Sequence, residues 1–172
     1  LVDYVSEVHE ATRLPIVYYN HSALPASTLR RMAELPGVIC IKENQFEPVA
    51  ELVQTVGSKV AVASGVDAVN VASFLVGADA AIAGINAIIP RQYVEIHTAC
   101  EQGDFRKAVE LTEKIAPLAR EMIKPVNFPA RVRFAMNAMG REVGEPLKPS
   151  GNLSEEDKQN ITAALKHAGL IQ

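Results

Sequence analysis

A phenol, an imidazole and a primary amine, Tyr19, His21 and Lys42, stand at the ends of two neighbouring β-rich runs, a set suited to covalent chemistry on a carbonyl. Lys42 follows the apolar run Val38-Ile39-Cys40-Ile41 and precedes Glu43, so an amine stands at the end of a segment that reads as buried sheet. A free lysine, with a pKa of about 10.4, is neutral in roughly one molecule in 2,500 at pH 7. An apolar pocket that lowers that pKa by about three units leaves roughly a quarter of it neutral. Amines that form Schiff bases with carbonyl substrates are activated in this way. Period-two alternation puts Val38, Cys40 and Lys42 on one strand face, so Lys42 is expected to point toward the covered side of the sheet. The blander reading is a lysine that runs its stem out to water or pairs with Glu43.

Tyr19 ends the preceding β-rich run, "PIVYYN". A strand tyrosine is more often a core residue with a satisfied hydroxyl. Beside a lysine strand, the same phenol could carry protons to and from a carbinolamine, an imine and an enamine. His21, two residues on, reads either as an ordinary loop histidine or as a substrate-carboxylate contact or second acid/base group.

The segments that carry these groups belong to a repeating pattern. β-Rich runs begin at Pro15, Val38, Lys59 and Ala80, about 21 to 23 residues apart, the span of one strand, one helix and two short loops. Between them lie helical patterns at Pro25–Leu35, with Ser27 as a cap, at Glu47–Val56, with Pro48 in the first turn, and at Ala68–Val76, stopped by Gly77. Pro90–Gln102 follows the fourth strand. Alternation of this kind predicts right-handed βαβ crossovers and a parallel sheet, either open or closed into a barrel. Residues 1–103 form this α/β part. Residues 104–172 read as a helical region, with helices at Asp104–Lys124, Phe128–Met139 and Ser154–Ala168. Ligands of parallel α/β folds sit at the carboxyl ends of the strands. Here those ends are Tyr19-Asn20, Lys42-Glu43, Ser64-Gly65 and Ile85-Asn86.

Composition narrows the function classes. A formal charge of −3 argues against a nucleic-acid partner, and the absence of Trp removes a stacking platform. The apolar stretch from Ala68 to Pro90 carries Asp79, Asn70 and Asn86 and reads as core rather than a membrane span. Residues 1–12 have acids and no basic n-region, so no signal peptide is expected. Cys40 and Cys100 have no metal or redox spacing and read as small buried hydrophobes of a reducing, cytoplasmic setting. No metal or other cofactor is implied, since no His/Asp/Glu cluster has ligand spacing.

The chain resembles the dihydrodipicolinate synthase / N-acetylneuraminate lyase family of Schiff-base-forming, class I pyruvate aldolases. The resemblance rests on "LPIVYYN", "PGVICIKEN", "VASGVDA", "GADAAIAGINAIIP", "KPVNFPARVRFAMNAMG" and "ALKHAGLI", which follow one another in family order. It implies that Lys42 condenses with the keto carbon of pyruvate or a related 2-oxo acid, and that Tyr19 is the general acid/base. It also implies that Gly65 and Ile82 line the pyruvate pocket. The implied fold is a (β/α)8 TIM barrel with a C-terminal helical extension, usually a homotetramer. Four βα units are about half of such a barrel, so the resemblance implies the C-terminal portion of an enzyme, incomplete alone in its carboxylate site.

The resemblance has one informative departure. In the lysine-biosynthetic synthases the Tyr-Asn pair is followed by x-Pro-x-Arg, whose arginine clamps the semialdehyde carboxylate. Here Ser22 and Leu24 stand at those positions, and leucine makes no bidentate carboxylate bond. The expectation is therefore a family lyase performing aldol cleavage, aldol addition or imine-assisted dehydration. True dihydrodipicolinate synthesis is the alternative. A third possibility is a non-catalytic half-barrel that only associates through its open edges and apolar face.

Overall fold

The computed structural model of the chain describes residues 1–67, 70–124 and 127–172. These form two compact units, Leu1–Ala83 and Gly84–Gln172. The boundary expected at residue 103 falls within the second unit, between two helices that pack on each other.

In the first unit α1 (Val2–Thr12) leads into β1 (Ile16–Tyr19), α2 (Ala26–Ala33), β2 (Val38–Glu43), α3 (Phe46–Val56), β3 (Ala61–Ser64), α4 (Asn70–Leu75) and β4 (Ala80–Ala81). The four strands are parallel and lie in sequence order. The expected helix start at Ala68 lies outside the described residues, as do Pro125 and Val126 of the C-terminal family segment. Ser27 is no cap: α2 starts at Ala26, after Pro25, whose extended backbone turns the chain into the helix. Gly77, at φ +100°, takes the left-handed turn that follows α4.

One layer of helices covers one face of this sheet. Leu29 and Met32 of α2, Val49, Leu52 and Val56 of α3, and Val5 of α1 enclose Val38, Ile41 and Val62 in a single apolar cluster. Each such side chain taken fully out of water contributes about 1.5–3 kcal/mol, which is what holds the strands in register. On the opposite face Val17 and Tyr19 remain 50% and 39% exposed.

Two sequence expectations fail here for physical reasons. Val38 does not share a face with Cys40 and Lys42. It joins the helix-side core with Ile41, because the β1–β2 register slips by one residue: Ile16 pairs with Val38 and Val17 with Cys40, leaving Ile39 without a partner. Lys42 therefore lies on the face away from the helices, opposite to the side expected for it. The fourth strand is also shorter than "AAIAGI" suggested. It stops at Ala81, and residues Gly84–Ala87 wind into a 3-10 helix.

The second unit is helical: the 3-10 turn, then α5 (Pro90–Glu101), α6 (Phe105–Met122), α7 (Phe128–Ala138) and α8 (Glu155–His167). Asp104 caps α6 by accepting from the Lys107 N–H at 3.1 Å, and Ser154 caps α8 by accepting from the Asp157 N–H at 3.1 Å. Arg131 of α7 is 4% exposed and answers acids on two other helices. Its Nη2 donates to Asp157 Oδ1 at 2.6 Å, and its Nη1 lies 3.4 Å from Glu121 Oε2. The bond from Arg131, helped by one from Ser154, holds the Asp157 carboxyl below the usual carboxylate range. Among the described residues no helix is long and apolar enough to cross a membrane.

Candidate active site

Parallel register brings the polar strand ends of the first unit to one edge of the sheet. Tyr19 is paired with Lys42, and Lys42 with Ala63, so phenol, amine and a small side chain stand side by side on the face away from the helices. Lys42 Nζ sits 4.1 Å from the centroid of the Tyr19 ring. A ring face attracts an ammonium by its quadrupole, worth about 0.5–1 kcal/mol where solvent reaches it. Lys42 is half-buried, and no carboxylate among the described residues forms an ion pair with it. The enclosing apolar pocket expected around the amine is thus only partly supplied by these residues.

The hydroxyl of Tyr19 has two neighbours. Asn44 Nδ2 donates to it, and His21 Nδ1 lies 3.3 Å away. His21 returns over the tyrosine because its backbone N–H donates to the Tyr19 carbonyl at 2.9 Å, closing a tight turn just past β1. The two rings lie 5.3 Å apart at 54°. Gly65 follows β3, and its N–H donates to the Glu43 carbonyl at 2.7 Å. A Cβ on Gly65 would meet Asn44 Oδ1 at 1.9 Å and Lys42 Cε at 2.7 Å, so glycine there is what lets the lysine stem and the amide pass.

The next residues along β1 and β2 point the other way, as a pleat requires. Asn20 and Glu43, both buried, meet on the helix side: Asn20 Nδ2 donates to Glu43 Oε2 at 2.6 Å. Glu43 Oε1 accepts from the Asn44 and Gln45 N–H groups at 2.6 and 3.0 Å. Asn20 Oδ1 accepts from the Leu24 N–H at 2.9 Å. A carboxylate with three donors is a tolerable burial, and here it ties the ends of both strands to the loops that follow them.

The structure therefore gathers Lys42, Tyr19, His21 and Gly65. Ile82 lies one position beyond β4, its N–H donating to the Ser64 carbonyl at 2.8 Å while its side chain is largely exposed. Leu24 does not face the amine. It packs against the helix-side core and lines a cleft of about 110 Å³ with Glu51 and Leu52. Asn44 is a neighbour of the phenol that the sequence pattern does not single out. Its signal was its place in "IKEN", one residue past the lysine pair, but asparagine after a strand is equally an ordinary turn residue. Cys40 shares Lys42's face by alternation, yet burial, with the charge of Asp79, pushes its thiol up, so it is a poor rival nucleophile. Among the described residues no group of three or more His, Cys, Asp or Glu side chains converges as metal ligands.

Comparison with known proteins agrees with this architecture. The 4-hydroxy-tetrahydrodipicolinate synthase of Thermodesulfovibrio yellowstonii is 32% identical over 180 residues, covering all of this chain and 61% of the relative. That of Methanocaldococcus jannaschii is 34% identical over 173 residues, covering 96% of this chain and 59% of the relative. The dihydrodipicolinate synthase of Acinetobacter baumannii, solved in complex with pyruvate, superposes with a TM-score of 0.89 at 28% identity, over 99% of this chain and 60% of its own. The chain thus spans about three-fifths of the length of these relatives, and its parallel βα units are part of a (β/α)8 barrel architecture. A profile of the Dihydrodipicolinate synthetase family matches residues 1–168, and the chain belongs to that family.

Proposed function

We propose that this chain carries the Schiff-base half of a lyase site acting on pyruvate or a related 2-oxo acid. The observation that carries the reading is the placement of Lys42 Nζ over the Tyr19 ring, 4.1 Å from its centroid, with no acid paired to it among the described residues. The neutral amine attacks the keto carbon and gives a carbinolamine. Breaking its C–O bond, with the Tyr19 proton passing to the departing oxygen, releases water and leaves an iminium and a phenolate. The phenolate then takes a proton from the carbon next to the iminium, giving an enamine and restoring the phenol. The iminium is the electron sink, so the scheme calls for no metal or organic cofactor. Aldol cleavage, aldol addition or dehydration follows according to the acceptor.

Leu24 supports a lyase without a carboxylate clamp at that position, because it is apolar and turned into the core. A second reading, 4-hydroxy-tetrahydrodipicolinate synthase activity, is favoured by the names of the relatives. The family resemblance also supports a homotetramer, and the unpaired Cys40 and Cys100 fit a reducing, cytoplasmic setting.

The test is to incubate the protein with pyruvate, reduce with borohydride and weigh it. A mass gain that Lys42→Ala abolishes is expected. A folded wild-type chain that gains no mass would overturn the Schiff-base reading and leave the non-catalytic association module. Turnover with the semialdehyde partner of the synthases would decide for the second reading.

A further inference from the structure

Asn44 has no part in the scheme above, yet its side chain bridges two strand ends. Nδ2 donates to Tyr19 Oη, while Oδ1 lies where a Cβ on Gly65 would stand 1.9 Å away. The hydrogen that glycine carries in place of that carbon faces Oδ1, a weak favourable C–H···O contact. An amide turned about would press its own N–H groups on that hydrogen, so oxygen belongs on the Gly65 side and nitrogen on the phenol side. The backbone is anchored as well, through the Asn44 N–H on buried Glu43.

A phenol oxygen has one proton to give and two lone pairs to receive with. The Asn44 N–H occupies one lone pair, so the phenol's own proton points elsewhere. His21 Nδ1, 3.3 Å from Oη, accepts it in the tautomer protonated on Nε2. We propose that Asn44 is a positioning residue for Tyr19: its amide turns the phenol proton outward, toward His21 or a bound 2-oxo acid, and stabilises the phenolate left when that proton is given. This rests on the Schiff-base reading. In carbinolamine breakdown the phenol proton goes to the leaving oxygen, and the amide N–H meets the negative oxygen that remains. When the phenolate takes a proton from the carbon beside the iminium, the resting arrangement returns.

Asn44→Asp keeps size and shape but replaces the donor with an acceptor, whereas Asn44→Ala removes both. The rate of borohydride-trapped adduct formation is measured for each on the full chain, at saturating and at half-saturating pyruvate, beside a melting curve. The expected order of saturating rates is wild type, then Asn44→Ala, then Asn44→Asp, each step about tenfold, with half-saturation changed less than about twofold. In a Tyr19→Phe background the two substitutions become equal. An Asn44→Asp rate at or above that of Asn44→Ala, or an order that persists without the phenol, overturns the proposal and makes Asn44 a spacer. A wild type that forms no adduct removes the Schiff-base reading itself, and the role of Asn44 with it.

Discussion

Arg131 and Lys42 are both cations held at the ends of packed elements, and their surroundings differ in kind. Arg131 is almost wholly buried, with Asp157 and Glu121 reaching it from two other helices. Lys42 is half-buried and faces an aromatic ring, and among the described residues no acid pairs with it. Removing a charge from water is costly, so a cation kept for architecture is answered by opposite charges that hold it in one geometry. A cation meant for chemistry must be able to lose its proton and swing to a substrate, and a carboxylate partner would oppose both. The contrast teaches that partner type, more than burial, separates a structural charge from a candidate nucleophile.

The largest effects are expected when each cation is removed in turn. Lys42→Ala removes all borohydride-trapped adduct and leaves the denaturation midpoint unchanged, because its stem and head are half in solvent. Arg131→Met keeps the adduct and lowers the urea denaturation midpoint, since Asp157 loses its cation while Glu121 keeps Lys124, 2.6 Å away. Equal effects of both variants on trapping would dissolve the distinction. A smaller effect is expected at Gly65. A methyl there displaces the Lys42 stem and the Asn44 amide, so Gly65→Ala slows trapping about 10- to 100-fold with little change in stability. Unimpaired trapping would show that the approach of the three groups is unimportant.

The mildest effect concerns acid. Asp157 has its folded-state pKa lowered, chiefly by the bond from Arg131, so its contribution is present above the unfolded carboxylate pKa of about 3.9 and is lost as pH falls through the lower folded value. Melting temperatures taken from pH 7 downward should therefore fall below about pH 4 in the wild type. Asp157→Asn should melt earlier at pH 7 and show a flatter decline at low pH. Parallel curves for the two proteins would remove the Arg131–Asp157 bond as a source of acid sensitivity.

Much of the fold was legible in the sequence. β2 runs over the expected Val38–Glu43, and the alternation of apolar runs with amphipathic helical segments gives the order of strands and helices. That Tyr19 and Lys42 lie side by side was legible too, because a parallel sheet brings the same end of every strand together. Three features were not. The register slip at Ile39 depends on how two strands meet, which no single-strand pattern contains. The early end of β4 comes where Gly84, whose Cβ position is filled by the Phe128 ring, starts a 3-10 turn, a contact between residues far apart in the chain. The direction of Asn44 was hidden because period-two alternation stops where the strand does.

Ile39 carries a consequence of its own. β2 has one residue more than β1 uses, and that surplus is absorbed before the pleat reaches Cys40. The phase that presents the amine is thus uncoupled from the point at which the chain enters the sheet. Shortening the strand by its surplus residue should leave Lys42 opposite Tyr19. Loss of Ile41 instead would rotate the amine into the apolar cluster and bring the carboxylate of Glu43 up beside the phenol, and borohydride trapping separates the two deletions. The strand tolerates a change of length on one side of Cys40 and forbids it on the other.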